Sequence, residues 1–236
     1  MSRVSHSAQR PARFGLLLLV LVASYLVSAF AGGAWVSAVQ VVLFLGVAAL
    51  AVRTGHVRRR FAPLAISVVT GGSVLFGALV LAQPTADVQG AANAWKAAIL
   101  GFAAVLIVRR VLAQPEVTIQ SIYGAVSAYM IIGLMFAAGY GAMDRFGGGS
   151  GFFANGSPGN AQTFQYFSFT TLTTLGYGDF TAAKSGGRAV AVMEALLGQV
   201  FLATLVARLV SAFRVPGGSE RVDGRSVQDD DESVPR

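Results

Sequence analysis

The run Thr173-Thr174-Leu175-Gly176-Tyr177-Gly178-Asp179 places two glycines one residue apart, with hydroxyls before them and a carboxylate after. Gly176 and Gly178 can take φ > 0 at little steric cost. A backbone of alternating hand turns successive carbonyls of Thr174 to Gly178 toward one axis. Thr174 adds a hydroxyl oxygen at the inner end of that row, and Asp179 adds a carboxylate at its outer mouth. Such a row can replace the oxygen shell of a dehydrated cation. A bare Gly-Tyr-Gly would serve equally as a surface turn in a chain with 28 glycines, so the flanking sequence must separate the two readings.

Those flanks belong to a membrane protein. Of 236 residues 54% are hydrophobic and only 12% charged, with a mean hydropathy of +0.62, whereas about a quarter of a soluble domain is charged. The net charge of +7 does not point to nucleic acid, because the basic residues sit at the ends of apolar runs, as membrane topology requires. The chain has no cysteine, which excludes a disulfide framework and Cys-ligated metal.

Six apolar runs divide the chain into a start at 1–13, a four-helix region at 14–112, a linker at 113–118, a two-helix unit at 119–214 and a tail at 215–236. The first run, Phe14 to Ala31, follows Arg3, Arg10 and Arg13. A cleaved signal peptide is one reading of it, but it is long enough to cross about 30 Å of hydrocarbon, which favours a retained span. Ala34 to Val52 returns across the bilayer to a basic loop at 53–60, whose arginines read as a topology anchor. Phe61 to Ala82 is the third span, 83–87 an external loop, and Ala91 to Val108 the fourth span, with Trp95 at the interface. Between Ala91 and Val108 stands one lysine, Lys96, and no arginine; a voltage sensor would carry a stripe of arginines. Strong intrinsic voltage sensing is not expected.

Ile119 to Gly141 is the next helix, 146–160 a Gly-rich external segment expected to be mobile, Gln162 to Thr173 a re-entrant helix about 18 Å long, and Gly187 to Phe213 the last span. Non-helical backbone at membrane depth is tolerated only where it is buried in protein or lines water. Glu194 lies well inside a span, where an ionisable residue is usually paired or functional. Two roles are open to it: bracing the re-entrant helix through a hydroxyl such as Thr170, which is favoured, or titrating and so gating. Gln199 is placed to face a central cavity. The tail ends in an acidic run, Asp229 to Glu232, reads as disordered and is too short for a ligand-binding domain.

Thr174 to Asp179 reads TLGYGD and resembles the TVGYGD signature of tetrameric potassium channels. From Val117 to Arg214 the resemblance to prokaryotic potassium-channel pore modules (outer helix, pore helix, filter, inner helix) is continuous. It implies an all-α membrane protein with six transmembrane helices and a re-entrant pore helix between the fifth and sixth. It further implies K+ coordinated at Thr174, Leu175, Gly176 and Tyr177, with Gly178 completing the selectivity filter and Asp179 at the outer mouth. Tyr166, Phe167, Thr170 and Thr173 are expected to support the filter, with Tyr166 and Phe167 as an aromatic cuff in which only Tyr166 can donate to Asp179. Gly198 follows Gly178 by 20 residues and matches the inner-helix glycine where related channels bend; close packing is the other reading of it. Glu194, Gly198 and Gln199 are the gating candidates. Leu175 departs from the family's valine, which bears on the strictness of K+ over Na+ selection rather than on conduction.

The implied activity is passive K+ conduction by a homotetramer in the plasma membrane of a prokaryotic cell, without cofactor or nucleic-acid partner. Both termini are then cytoplasmic. Fourteen basic residues fall on the cytoplasmic side, against Lys96, Arg145, Lys184 and Arg188 outside, as the positive-inside rule requires. Three rivals are a weakly selective cation channel, a secondary transporter and a non-conducting subunit. A transporter predicts paired broken helices in two halves, and residues 14–112 hold no second Gly-rich interruption. No nucleophile or His/acid constellation suggests an enzyme.

Overall fold

The structure, a computed structural model, describes residues 14–30, 62–114, 117–147 and 151–212. The expected second span, the basic loop at 53–60 and the acidic tail lie outside these residues. Six helices are described: α1 Phe14–Phe30, α2 Ala62–Ala82, α3 Ala86–Leu112, α4 Ile119–Phe146, α5 Ala161–Leu172 and α6 Ser185–Ala212. Among the described residues α3, α4 and α6 are long and apolar enough to cross a membrane, and α1 and α2 contribute shorter apolar stretches.

At two places a helix runs past its expected end, once through capping and once through packing. Ala86 and Asp87 are not loop; they form the first turn of α3, because the Thr85 hydroxyl caps that turn by accepting from the Val88 N–H. Asp87 then sits at the positive end of the helix dipole. Likewise α4 continues past Gly141 to Phe146. Gly141 does not end the helix; its bare Cα admits the Asn93 side chain, to which an added Cβ would come within 3.0 Å.

The core forms where α1, α3 and α4 meet. Ile99, Leu100, Ala103, Ala104, Ile107 and Val111 recur every three or four residues along one face of α3 and are buried. Of these, Leu100, Ala103, Ala104, Ile107 and Val111 join Ala125, Ala128, Ile131 and Ile132 of α4, and Phe14, Leu17 and Leu21 of α1, in one cluster. In lipid, close approach of backbones replaces the hydrophobic effect as the driving force for helix pairing, and Gly124 shows it. A Cβ there would lie 2.8 Å from Val111 and 3.3 Å from Phe14, so three helices converge on one missing side chain. Outside this core, α6 presents Val192, Met193, Leu196, Val200, Val206 and Val210 largely uncovered in the single chain.

Candidate functional site: helix α5 and the Thr174–Asp179 segment

The short helix α5 is fixed at both ends and along both flanks. Its start carries a capping box: the Asn160 side chain accepts from the Thr163 N–H at 2.9 Å, and Thr163 Oγ1 accepts from the Asn160 N–H at 2.9 Å. Phe164 and Phe167 bury themselves among Tyr140, Phe152 and Phe153. Ring centroids in this cluster lie 5.0 to 5.8 Å apart, mostly edge to face, the arrangement the ring quadrupoles favour. Phe152 and Phe153 come from the segment expected to be loose. An antiparallel bridge from Phe153 to Ala182 ties that segment to the chain beyond Asp179, with Ala154 N–H donating to the Thr181 carbonyl at 2.8 Å. Residues 151–160 are therefore pinned by two buried rings.

On the other flank, Gln162 Nε2 donates to the Ser28 carbonyl of α1 at 2.8 Å, and the Tyr25 ring meets Phe169 edge-on at 5.1 Å. Helix α4 contributes Tyr129, whose hydroxyl donates to the Leu172 carbonyl at 3.0 Å. It also contributes Gly133, where a Cβ would stand 2.9 Å from the Phe169 ring.

The end of α5 sets the geometry of the Thr174–Asp179 segment. Thr174 N–H donates to the Thr171 carbonyl at 2.9 Å, and Leu175 N–H to the Thr170 carbonyl at 2.8 Å, with Gly176 N–H at 3.1 Å from the same oxygen. The first two bonds make a Schellman motif, in which the residue after the cap turns left-handed and the last helical carbonyls are satisfied. That residue is Thr174, at φ 58°. A β-branched side chain in this region is an outlier, because its Cβ crowds the carbonyl, and glycine is the usual occupant. The next positive φ values are at Gly176, 51°, and Gly178, 83°. Hand thus alternates at every second residue from 174 to 178, and Thr174, a residue type that does not announce a left-handed turn, opens the series.

The expected supports fall in several places. Tyr166 lies beside the Asp179 carboxylate and meets Phe180 edge-on. The Asn155 amide donates to the Asp179 carbonyl at 2.7 Å. Phe167 is not part of a cuff on the segment; it points into the aromatic cluster behind α5. Thr173 Oγ1 donates to the Phe169 carbonyl at 2.7 Å. Thr170 does not brace Glu194, because its hydroxyl turns back onto the Tyr166 and Phe167 carbonyls of its own helix, each at 3.0 Å.

Glu194, fully buried, instead meets Ser168 Oγ at 2.5 Å and the Tyr140 hydroxyl at 2.6 Å. Sequence reasoning missed both partners. The signal for Ser168 was available, since it and Thr170 are both hydroxyls on α5, two residues apart and so on different faces. Gln199 Nε2 donates to Thr174 Oγ1 at 3.3 Å. Gly198 sits against the end of α5: a Cβ there would lie 2.3 Å from the Leu172 carbonyl oxygen. Helix α6 runs unbroken through this position, as close packing requires. At the far end of α6, the Arg208 guanidinium donates to the Val111 and Gln114 carbonyls and so caps the C-terminus of α3.

Residues 145–215 match the family model described as ion channel. The match starts in the last turn of α4 and takes in the pinned loop, α5, the alternating segment and α6. No curated protein and no solved structure matches the chain.

Proposed function

We propose that this protein is a potassium-selective channel in which four copies of the chain surround one axis and the carbonyls of Thr174, Leu175, Gly176 and Tyr177 replace the hydration shell of K+. The observation that carries the reading is the alternation of hand at Thr174, Gly176 and Gly178. An extended strand or a helix repeats one hand and sends successive carbonyls to opposite sides or along an axis; only alternation brings them to one side. Rings of such carbonyls, one set per subunit, make a potassium filter. The ion-channel match over the same residues supports it.

Exposure in the single chain supports assembly. In the single chain Leu175 is 54% exposed and Tyr177 68%, positions that would be buried behind and between filters in a ring of four. The uncovered face of α6 then lines the cavity and the subunit interfaces. The C-terminal end of α5, the negative end of its dipole, points at the ion below the filter. The six-span topology, with both termini in the cytoplasm, puts Asp179 outside the cell.

An ion that binds only the folded filter stabilises the fold in proportion to its occupancy. Purified protein should therefore unfold at a higher temperature in K+ than in Na+, and Gly176→Asp should abolish the difference. Identical midpoints in the two salts for the unaltered chain would count against a K+ filter.

A further inference from the structure

Glu194 sits in a chain of hydrogen bonds that can be counted proton by proton. Tyr140 Oη lies 2.6 Å from Glu194 Oε2. Glu194 Oε1 lies 2.5 Å from Ser168 Oγ. Ser168 Oγ in turn lies 2.7 Å from the Gly133 carbonyl oxygen. Three bonds need three protons. A hydroxyl carries one proton, so Tyr140 and Ser168 supply two. The Gly133 carbonyl only accepts, which commits the Ser168 proton to it. The bond between Ser168 and Glu194 then lacks a proton unless the carboxyl brings it.

We infer that Glu194 is a neutral carboxylic acid that donates to Ser168 and accepts from Tyr140, and that in this form it joins the outer helix α4, the pore helix α5 and the inner helix α6 behind the filter. It is a positioning residue; it does not touch the segment 174–179. The order of donation is Tyr140 to Glu194, Glu194 to Ser168, Ser168 to the Gly133 carbonyl. The ionised form would leave one of these bonds without a proton and place a charge where the residue has no exposed surface, a cost that burial makes large.

Among the described residues the surroundings offer that charge no counterion. From α4 the titratable groups that face Glu194 are Tyr140 and Tyr129, both of which are neutral donors. From α5 it meets Ser168; the titratable Tyr166 of that helix is engaged with Asp179. On its own helix Arg188 is turned to the Ala182 carbonyl at 2.9 Å and Arg208 to the end of α3. Lys184 donates to the Gly147 carbonyl at 3.2 Å. The Gly133 position completes the arrangement, since a side chain there would hold α5 away from α4.

The test reads the proton rather than the fold. Infrared difference spectra of the full chain in lipid, wild type minus Glu194→Gln, should show at neutral pH the carbonyl stretch of a protonated carboxylic acid, shifting down in deuterated water. Ser168→Ala should leave the acid protonated but move its band up, because its hydrogen-bond acceptor is gone. Glu194→Gln, which keeps one donor and one acceptor at the same place, should assemble like wild type, whereas Glu194→Ala should not. A carboxylate pair in place of the acid band, or an acid band that Ser168→Ala does not move, overturns the inference. These readouts do not need a conducting pore, so they stand apart from the failure of the channel reading. On that reading, Glu194→Gln also retains K+ flux, and loss of flux in a well-assembled Glu194→Gln protein would contradict the positioning role.

Discussion

Replacing Gly198 by alanine separates two accounts of this glycine. If it is a packing glycine, the new methyl group arrives 2.3 Å from the Leu172 carbonyl oxygen, where ordinary contact begins at 3.4 Å. The obstacle is backbone, and it cannot rotate away. The Leu172 carbonyl also accepts from Tyr129 at 3.0 Å, and the next residues, Thr173 and Thr174, lead straight into the alternating segment. Either α6 or the end of α5 must yield by about 1 Å, and overpacking of this kind typically costs about 1–3 kcal/mol. The assay is thermal unfolding of the purified protein in detergent, paired with K+ flux in liposomes. Gly198→Ala should unfold at a lower temperature, and its K+ flux should fall through distortion at Thr174. A hinge glycine gives a different result: Ala propagates a helix better than Gly by about 1 kcal/mol, so stability should hold or rise while opening alone is impaired. A Gly198→Ala protein as stable as wild type would refute the packing account.

Thr174→Gly should stabilise the fold slightly, since it removes the about 1–2 kcal/mol cost of a left-handed non-glycine residue, offset in part by glycine's backbone entropy of about 0.5–1 kcal/mol. It should nonetheless lower K+ flux, because the hydroxyl held by Gln199 is lost; the unfolding midpoint and the flux report the two effects separately. Tyr166→Phe and Asp179→Ala each remove one side of the Tyr166–Asp179 contact, so each should lower the K+/Na+ permeability ratio and the double variant should be no worse than the poorer single one; additive losses would mean the groups act independently. Arg208→Ala should destabilise the protein by about 1.5–3 kcal/mol, the usual range for hydrogen bonds to a charged group. Arg208→Lys should recover little of it, because one ammonium does not reproduce the guanidinium fork that spans two carbonyls. Unfolding in detergent measures both.

The places where sequence reading succeeded and failed have physical reasons. Long apolar runs and small residues marked α4 and α6 because membrane helices announce themselves by composition. The position of α5 followed from its aromatic and threonine content, and its bounds moved by a single residue. The features it missed were set partly by local capping and partly by tertiary contacts. Asp87 interrupts hydropathy yet belongs to a capped first turn. Gly141 looks like a terminator and is a packing notch. Phe152 and Phe153, in a Gly-rich stretch, signal a loop by their neighbours and a core by their own side chains; the core reading prevailed. Thr174 adopts a conformation usually reserved for glycine, since α5 must end there and the chain must reverse hand. For Glu194, the choice between Thr170 and Ser168 depended on which face of α5 meets α6, and a two-residue difference rotates a side chain far from its alternative.

The most direct test of the filter is K+ against Na+ flux into liposomes that hold the purified full chain, with Gly176→Asp as the control. A carboxylate-bearing residue at a position with φ 51° breaks both the backbone hand and the carbonyl row, so the variant should be silent. Wild type should pass K+ well above Na+, and the variant should pass neither. Equal passage of the two ions, or K+ flux undiminished in Gly176→Asp, would contradict the filter reading.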